Sequence, residues 1–149
     1  MALGMFFEDF QVNDEFISGR RTVTETDIVL FAGLSGDYNP LHTDETFAQS
    51  TPFKTRIAHG VLGTAIATGL QNQMGIFEGT TIALMEIGLK FTGAIIPGDT
   101  IYIKLVIKDK KETSKSDRGI INLVIYVTNQ NEKVVQELTQ AVMLKRKAK

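Results

Sequence analysis

A curved antiparallel sheet wrapped around one long helix, an α+β arrangement, is the architecture this 149-residue sequence predicts. Three observations lead there. Residues 58–75 alone carry apolar residues at helical spacing over a length that suits a central helix. From residue 80 the apolar period changes to two and stays there, and the links between the alternating segments are short and rich in turn residues. An antiparallel sheet needs one face covered, and the 58–75 helix is the only element long and apolar enough to cover it. A chain of this length buries a core without cross-links, so one domain over residues 1–149 is expected.

The first strand is expected over 16–23, "FISGRRTV", weakened by Gly19. Thr24 then caps a short helix, with Asp27 three positions on near its positive end and Ile28, Phe31 and Ala32 on one face. That helix should stop near Gly33 or Gly36 and deliver the chain to "SGDYNPLHTDETF", residues 35–47. Gly36 permits backbone angles closed to other residues, and Pro40 fixes its own and biases Asn39 away from the helical region, so this stretch reads as loop. Beyond it "TDETFAQS" predicts a helical turn or two, with Thr43 as cap and Phe47 as buried anchor.

In the central helix, "AHGVLGTAIATGLQNQMG", Val61, Leu62, Ala65, Ile66 and Leu70 make a wide apolar stripe, while Gly60, Gly63, Thr64 and Ala67 supply a second face of small residues. Glycine inside a helix is unfavourable by up to about 1 kcal/mol relative to alanine, which points to a backbone or a ligand passing close by, or to a tightly wrapped helix. In the strand from residue 80, Ala83, Met85, Ile87, Leu89 and Phe91 are expected on one face and Ile82, Leu84, Glu86, Gly88 and Lys90 on the other. "PGD" at 97–99 turns the chain, and Ile101, Ile103, Leu105 and Ile107 alternate with polar or smaller neighbours. A hydrophilic connection, "KKETSKSDRG", leads to two further strands near 119–128 and 133–145, joined by a tight turn at "NQNE". The sheet edges such a fold leaves open favour pairing of subunits.

Sixteen Lys and Arg against seventeen Asp and Glu give a net charge of −1, so no broad field recruits nucleic acid. The terminal cluster Lys145, Arg146, Lys147 and Lys149 reads as a solvated tail. The absence of cysteine removes disulfides, thiol catalysis and thiolate metal sites together, and with His42 and His59 as the two histidines a zinc site finds little support. The N-terminus does not resemble a secretion signal and no apolar run approaches the roughly 20 residues of a membrane span, so the cytoplasm is the expected compartment.

Asp37 and His42 are the one acid and imidazole pair tied together by a specialised loop. A carboxylate accepts a proton from water and an imidazole donates or accepts one near neutral pH, so a water held between them can be added to or removed from a substrate. An Asp and a His on a polar loop are, in most proteins, a cap and a solvated side chain, and spacing alone does not separate the two. The second feature is "RIAHGVLG". Its Gly60 N–H, at a helix start, is suited to hold a carbonyl oxygen that becomes enolate-like, although a glycine there also has a structural explanation. His59, outside the Gly- and Pro-shaped loop, is the less favoured catalytic candidate.

The run "FAGLSGDYNPLHTD", Phe31 to Asp44, resembles the hydratase signature of the MaoC-like family, which includes the (R)-specific enoyl-CoA hydratases and has the hot-dog fold. The likeness continues through Phe47, Ala48, Phe53 and "IAHGVL" (57–62), then more loosely through "LKF" and "PGD" near 89–99. The resemblance implies Asp37 and His42 as the catalytic pair, Asn39 as arranging loop and imidazole, Gly60 as oxyanion donor, and Ser35 and Gly36 as the active-site turn. The family pattern often has Pro where this chain has Glu45.

The implied activity is reversible syn hydration of trans-2-enoyl thioesters to (R)-3-hydroxyacyl thioesters, a lyase reaction of fatty acid metabolism. No metal or redox cofactor is required, and coenzyme A or acyl carrier protein is the substrate's handle. The acyl thioester is expected to enter beside the central helix near the seam of a homodimer, with no nucleic acid and no membrane span involved. The rivals are a hot-dog acyl-CoA thioesterase and a non-catalytic acyl-thioester binding module, since fold alone does not fix function.

Overall fold

The computed structural model describes residues 4–148. After a short 3-10 turn (Phe7–Asp9), the elements run β1 (Glu15–Ile17), β2 (Arg21–Thr22), α1 (Glu25–Ser35), α2 (Pro40–Thr43), α3 (Glu45–Gln49), α4 (Gly60–Gln73), β3 (Thr81–Phe91), β4 (Thr100–Glu112), β5 (Arg118–Thr128) and β6 (Val134–Lys145). The strands form an antiparallel sheet in the order β1-β4-β5-β6-β3, with β2 also on β4. The expected first strand is thus two pieces interrupted at Ser18–Arg20, around Gly19.

Period two gives β4, β5 and β6 their buried face. Leu105 pairs with Ile125, Ile125 with Leu138 and Leu138 with Leu89, a row that crosses the sheet under α4. Ile101, Ile103, Ile107, Ile121, Leu123 and Val127 join it, and Leu62, Ile66, Ala67 and Leu70 close the core from the helix side. Removing a side chain as large as Ile66 or Leu70 from such a core destabilises by about 2–5 kcal/mol.

Several expectations are corrected. The helix buries Leu62, Ile66 and Leu70 of the expected stripe together with the small residues Gly63, Thr64 and Ala67, whereas Val61 (55 % exposed) and Ala65 point away. The reason is separation, because small residues let helix and sheet approach. In β3, register shifts between Thr81 and Ala83 and between Leu84 and Glu86 break the alternation, so Leu84, Ile87, Leu89 and Phe91 share the helix side. The strand lies at the sheet edge with Ile82, Leu84, Met85, Ile87, Leu89 and Phe91 exposed. Asp44, not Thr43, caps α3 by accepting from Phe47 N–H. Ala48 is the buried residue there and Phe47 is 46 % exposed. The basic C-terminus is not simply a solvated tail either, for Arg146 pairs with Glu8 and Glu112, and Lys147 with Asp9. Lys149 lies outside the described residues.

Candidate active site

The loop that carries Asp37 is built from its two ends. The Thr24 hydroxyl accepts from Asp27 N–H at 3.2 Å while the Asp27 carboxylate accepts from Thr24 N–H at 2.9 Å, which fixes the start of α1. Its end is set by Gly36, whose φ of 76° lies in the left-handed region and whose N–H donates to Ala32 at 2.9 Å. The Ser35 hydroxyl donates to the Phe31 carbonyl at 2.7 Å and accepts from Asp37 N–H at 3.2 Å, and the Asp37 carboxylate accepts from Asn39 N–H at 3.2 Å. The Asn39 side chain accepts from Leu41 N–H at 3.0 Å, so it caps the short helix that presents His42, with Pro40 at that helix's first position.

His42 Nδ1 lies 2.7 Å from the carbonyl oxygen of Ile57. A carbonyl only accepts, so Nδ1 carries the hydrogen and the neutral ring keeps its lone pair on Nε2. His59 sits at the cap position of α4, 3 % exposed, and its Nε2 donates to the Asp37 main-chain carbonyl at 2.9 Å. One carboxylate oxygen of Asp37 and one ring nitrogen from each histidine lie within 4.8 Å of one another. Two hydrogen bonds of about 2.8 Å through one water span such a gap.

The same three side chains are the group among the described residues close enough to share a cation. One nitrogen of each imidazole is given to a main-chain carbonyl, which leaves the other nitrogen of each ring for a water or a ligand.

Gly60 follows His59 as the first residue of α4, where amides lack an intrahelical acceptor. A Cβ at this position would stand 2.6 Å from Cε1 of Phe91, so a larger residue would need that exposed ring to move. Its carbonyl accepts from Gln136 Nε2 at 2.9 Å, and Gln136 is 2 % exposed. A mainly apolar cavity of about 480 Å³ opens at this point, walled by Phe53, Ile57, Val61, Phe91 and Gln136.

Sequence reasoning missed two parts of this arrangement. Gln136 and Gln140 stand on the otherwise apolar face of β6, and that breach of the pattern was the signal. Arg56 gave no such sign. Its guanidinium holds Glu25 at 2.7 and 3.1 Å and Glu45 at 2.8 Å, and these hydrogen bonds keep both carboxyls below their ordinary values and raise that of Arg56. Glu45, the departure from the family pattern, therefore has a partner.

The chain is similar to known proteins over most of its length. A family model described as "MaoC like domain" matches residues 10–128. The (R)-specific enoyl-CoA hydratase of Rhodospirillum rubrum is 40 % identical over 96 residues, which cover 64 % of this chain and 65 % of that enzyme. The chain thus spans just under two thirds of that relative. A monoamine oxidase regulatory protein from Archaeoglobus fulgius superposes with a TM-score of 0.91 at 30 % identity, covering 99 % of this chain and 98 % of that one. The fold is the hot-dog fold, shared at 19 % identity and a TM-score of 0.83 with Rv0216 of Mycobacterium tuberculosis, a double hot-dog protein, over 97 % of this chain and 45 % of that one. No helix among the described residues is long and apolar enough to cross a membrane. With the family match over most of its length and the hot-dog fold around the Asp37–His42 loop, this chain belongs to the MaoC-like domain family, whose relatives include hydratases and dehydratases.

Proposed function

We propose that the protein is an (R)-specific enoyl thioester hydratase, acting reversibly on trans-2-enoyl groups carried by coenzyme A or acyl carrier protein. The observation that carries this reading is the Asp37 carboxylate and the His42 imidazole within reach of one shared water, beside the first amide of α4 and the mouth of an apolar cavity.

In the hydration direction, the thioester carbonyl oxygen accepts from Gly60 N–H, where the helix terminus stabilises the developing enolate. A water donating to Asp37 and to His42 Nε2 loses a proton to this pair as its oxygen attacks the β-carbon. The proton then goes from the pair to the α-carbon on the same face, so one water supplies both the hydroxyl and the hydrogen, and addition is syn. Asp37 and His42 share that proton and act as one coupled unit. Asn39 and His59 hold the loop, and the cavity beside Phe91 takes the acyl chain. No cofactor is required by these steps.

The working unit is proposed to be a homodimer, supported by the apolar side chains of edge strand β3 and the outward Val61 and Ala65 of α4. Crotonyl-CoA tests the reading. Hydration removes the conjugated enoyl absorbance with no release of free thiol. Thiol release would identify a thioesterase, and binding without turnover across short, medium and long enoyl thioesters would identify a binding module.

A further inference from the structure

The three main-chain N–H groups of Arg56–Ala58 and the carbonyl of Ile57 are all hydrogen-bonded. Arg56 N–H donates to the Glu45 carboxylate at 3.3 Å, Ile57 N–H to the Leu41 carbonyl at 3.3 Å and Ala58 N–H to the Ile95 carbonyl at 2.7 Å. Between them the Ile57 carbonyl accepts from His42 Nδ1. The Arg56 side chain carries the lateral load, because its fork binds both oxygens of Glu25 on α1 while Nε binds Glu45 on α3. It is 21 % exposed and lines, with His42, Ile28 and Tyr38, a cavity of about 220 Å³ behind the imidazole. A planar guanidinium with several donors can bridge two carboxylates and remain in one orientation, which an ammonium cannot do.

We propose that Arg56, clamped between Glu25 and Glu45, is a positioning residue: it fixes the Ile57 carbonyl as the acceptor for His42 Nδ1–H and so keeps the bare Nε2 of His42 turned toward the Asp37 carboxylate. Glu45 takes part directly, since one of its oxygens holds both the side chain and the main chain of Arg56. The kinetic consequence rests on the hydratase reading. The state of the imidazole does not, and it is measurable without turnover.

The test uses the full chain, with Arg56→Met, Arg56→Lys and Glu45→Ala. Nitrogen-15 to proton correlation spectra report the tautomer of His42, assigned against His42→Ala, and crotonyl-CoA hydration reports kcat and KM. The wild type should show His42 as the Nδ1–H tautomer. Arg56→Met and Glu45→Ala should give mixed tautomers and lower kcat by about 10- to 100-fold, with KM changed by no more than about 3-fold, as expected when a catalytic group is misplaced rather than removed. Arg56→Lys should fall between, and the Arg56→Met/Glu45→Ala double variant should be no worse than Arg56→Met alone, because both break one unit. A folded Arg56→Met protein with the wild-type His42 spectrum and kcat within about 2-fold of wild type overturns the proposal. If Arg56→Met does not fold, Glu45→Ala, which keeps the fork on Glu25, is judged by the same two readouts. A wild-type protein that hydrates nothing, yet whose His42 tautomer depends on Arg56, rejects the hydratase reading and retains the positioning role. Active protein with an Arg56-independent tautomer rejects the positioning role alone.

Discussion

The imidazole of His59 stacks on that of His42, with ring centroids 3.9 Å apart and planes 30° from parallel. His59 also meets Phe31 at 4.9 Å and donates to the Asp37 carbonyl, so a buried side chain at the start of α4 joins both members of the loop pair. Its Nδ1 is buried and has no hydrogen-bond partner among the described residues.

His59→Gln should therefore remove the stacking surface under His42 while leaving an amide able to donate to Asp37. The expected outcome is a folded protein with kcat/KM lowered by about 10-fold, less than either loop substitution, because a supporting contact and not a proton-transfer group is lost. Kinetics beside circular dichroism check this. A loss as deep as that of His42→Ala would make His59 a member of the reacting set.

Gly60→Ala keeps the amide proposed to bind the carbonyl oxygen but drives a methyl group into the Phe91 ring. Phe91 is at the exposed edge and can swing aside, and the direction open to it is the cavity it lines. Overpacking of this kind destabilises by about 1–3 kcal/mol. Gly60→Ala should raise KM for enoyl thioesters, and Gly60→Ala/Phe91→Leu should recover part of the loss. A double variant as poor as the single one would show that the ring is not responsible.

The exposed apolar edge of β3 predicts association. Sedimentation at micromolar concentration should show no dominant monomer, and Ile87→Lys with Leu89→Lys should release monomer by placing charge where a second chain would lie. A stable, fully active monomer would contradict the dimer and the entrance beside its seam.

The clamp on Arg56 should also have an acid signature. Hydrogen bonds from Arg56 lower the carboxyls of Glu25 and Glu45 from the ordinary 4.5. A group depressed in the folded state contributes stability above its unfolded value and loses that contribution as pH falls through the folded one. The difference in urea midpoint between wild type and Arg56→Met should hold near neutral pH and shrink below about 4.5. A difference that grew on acidification would have the wrong sign.

The parts of this fold legible in the sequence were those set by local rules. The Thr24–Asp27 cap, the stop at Gly36 and the inner faces of β4, β5 and β6 follow from neighbouring residues and from period two. The face of β3 was legible over Ile87, Leu89 and Phe91 but not before them, because the register shifts near Ala83 and Leu84 appear only when the strand is paired with β6. The buried face of α4 was legible in Leu62, Ile66 and Leu70 but not in full, since Val61 and Gly63 differ in hydrophobicity in the opposite sense to their burial and the approach of the sheet decides. In the candidate site, Asp37, Asn39 and His42 stand within six residues of one another, so their proximity was legible, although the short helix Pro40–Thr43 that carries His42 was read as loop. Arg56 was missed because its partners lie 31 and 11 residues away, and the depth of His59 follows from the stacking of loop on helix.

Asp37→Asn separates activation of one water by Asp37 and His42 from every other role for this loop. Asparagine keeps the acceptor for Asn39 N–H and leaves the main-chain carbonyl that receives His59, so the loop should persist. It cannot take a proton from water. Circular dichroism and oligomeric state should match the wild type, with kcat/KM for (R)-specific hydration of crotonyl-CoA lowered by about 100- to 10,000-fold. Adding His42→Ala should deepen the loss by much less than its own single effect, because the two side chains serve one water. Turnover near that of the wild type from a properly folded Asp37→Asn protein would contradict the water-activation mechanism, even if enoyl-CoA still bound.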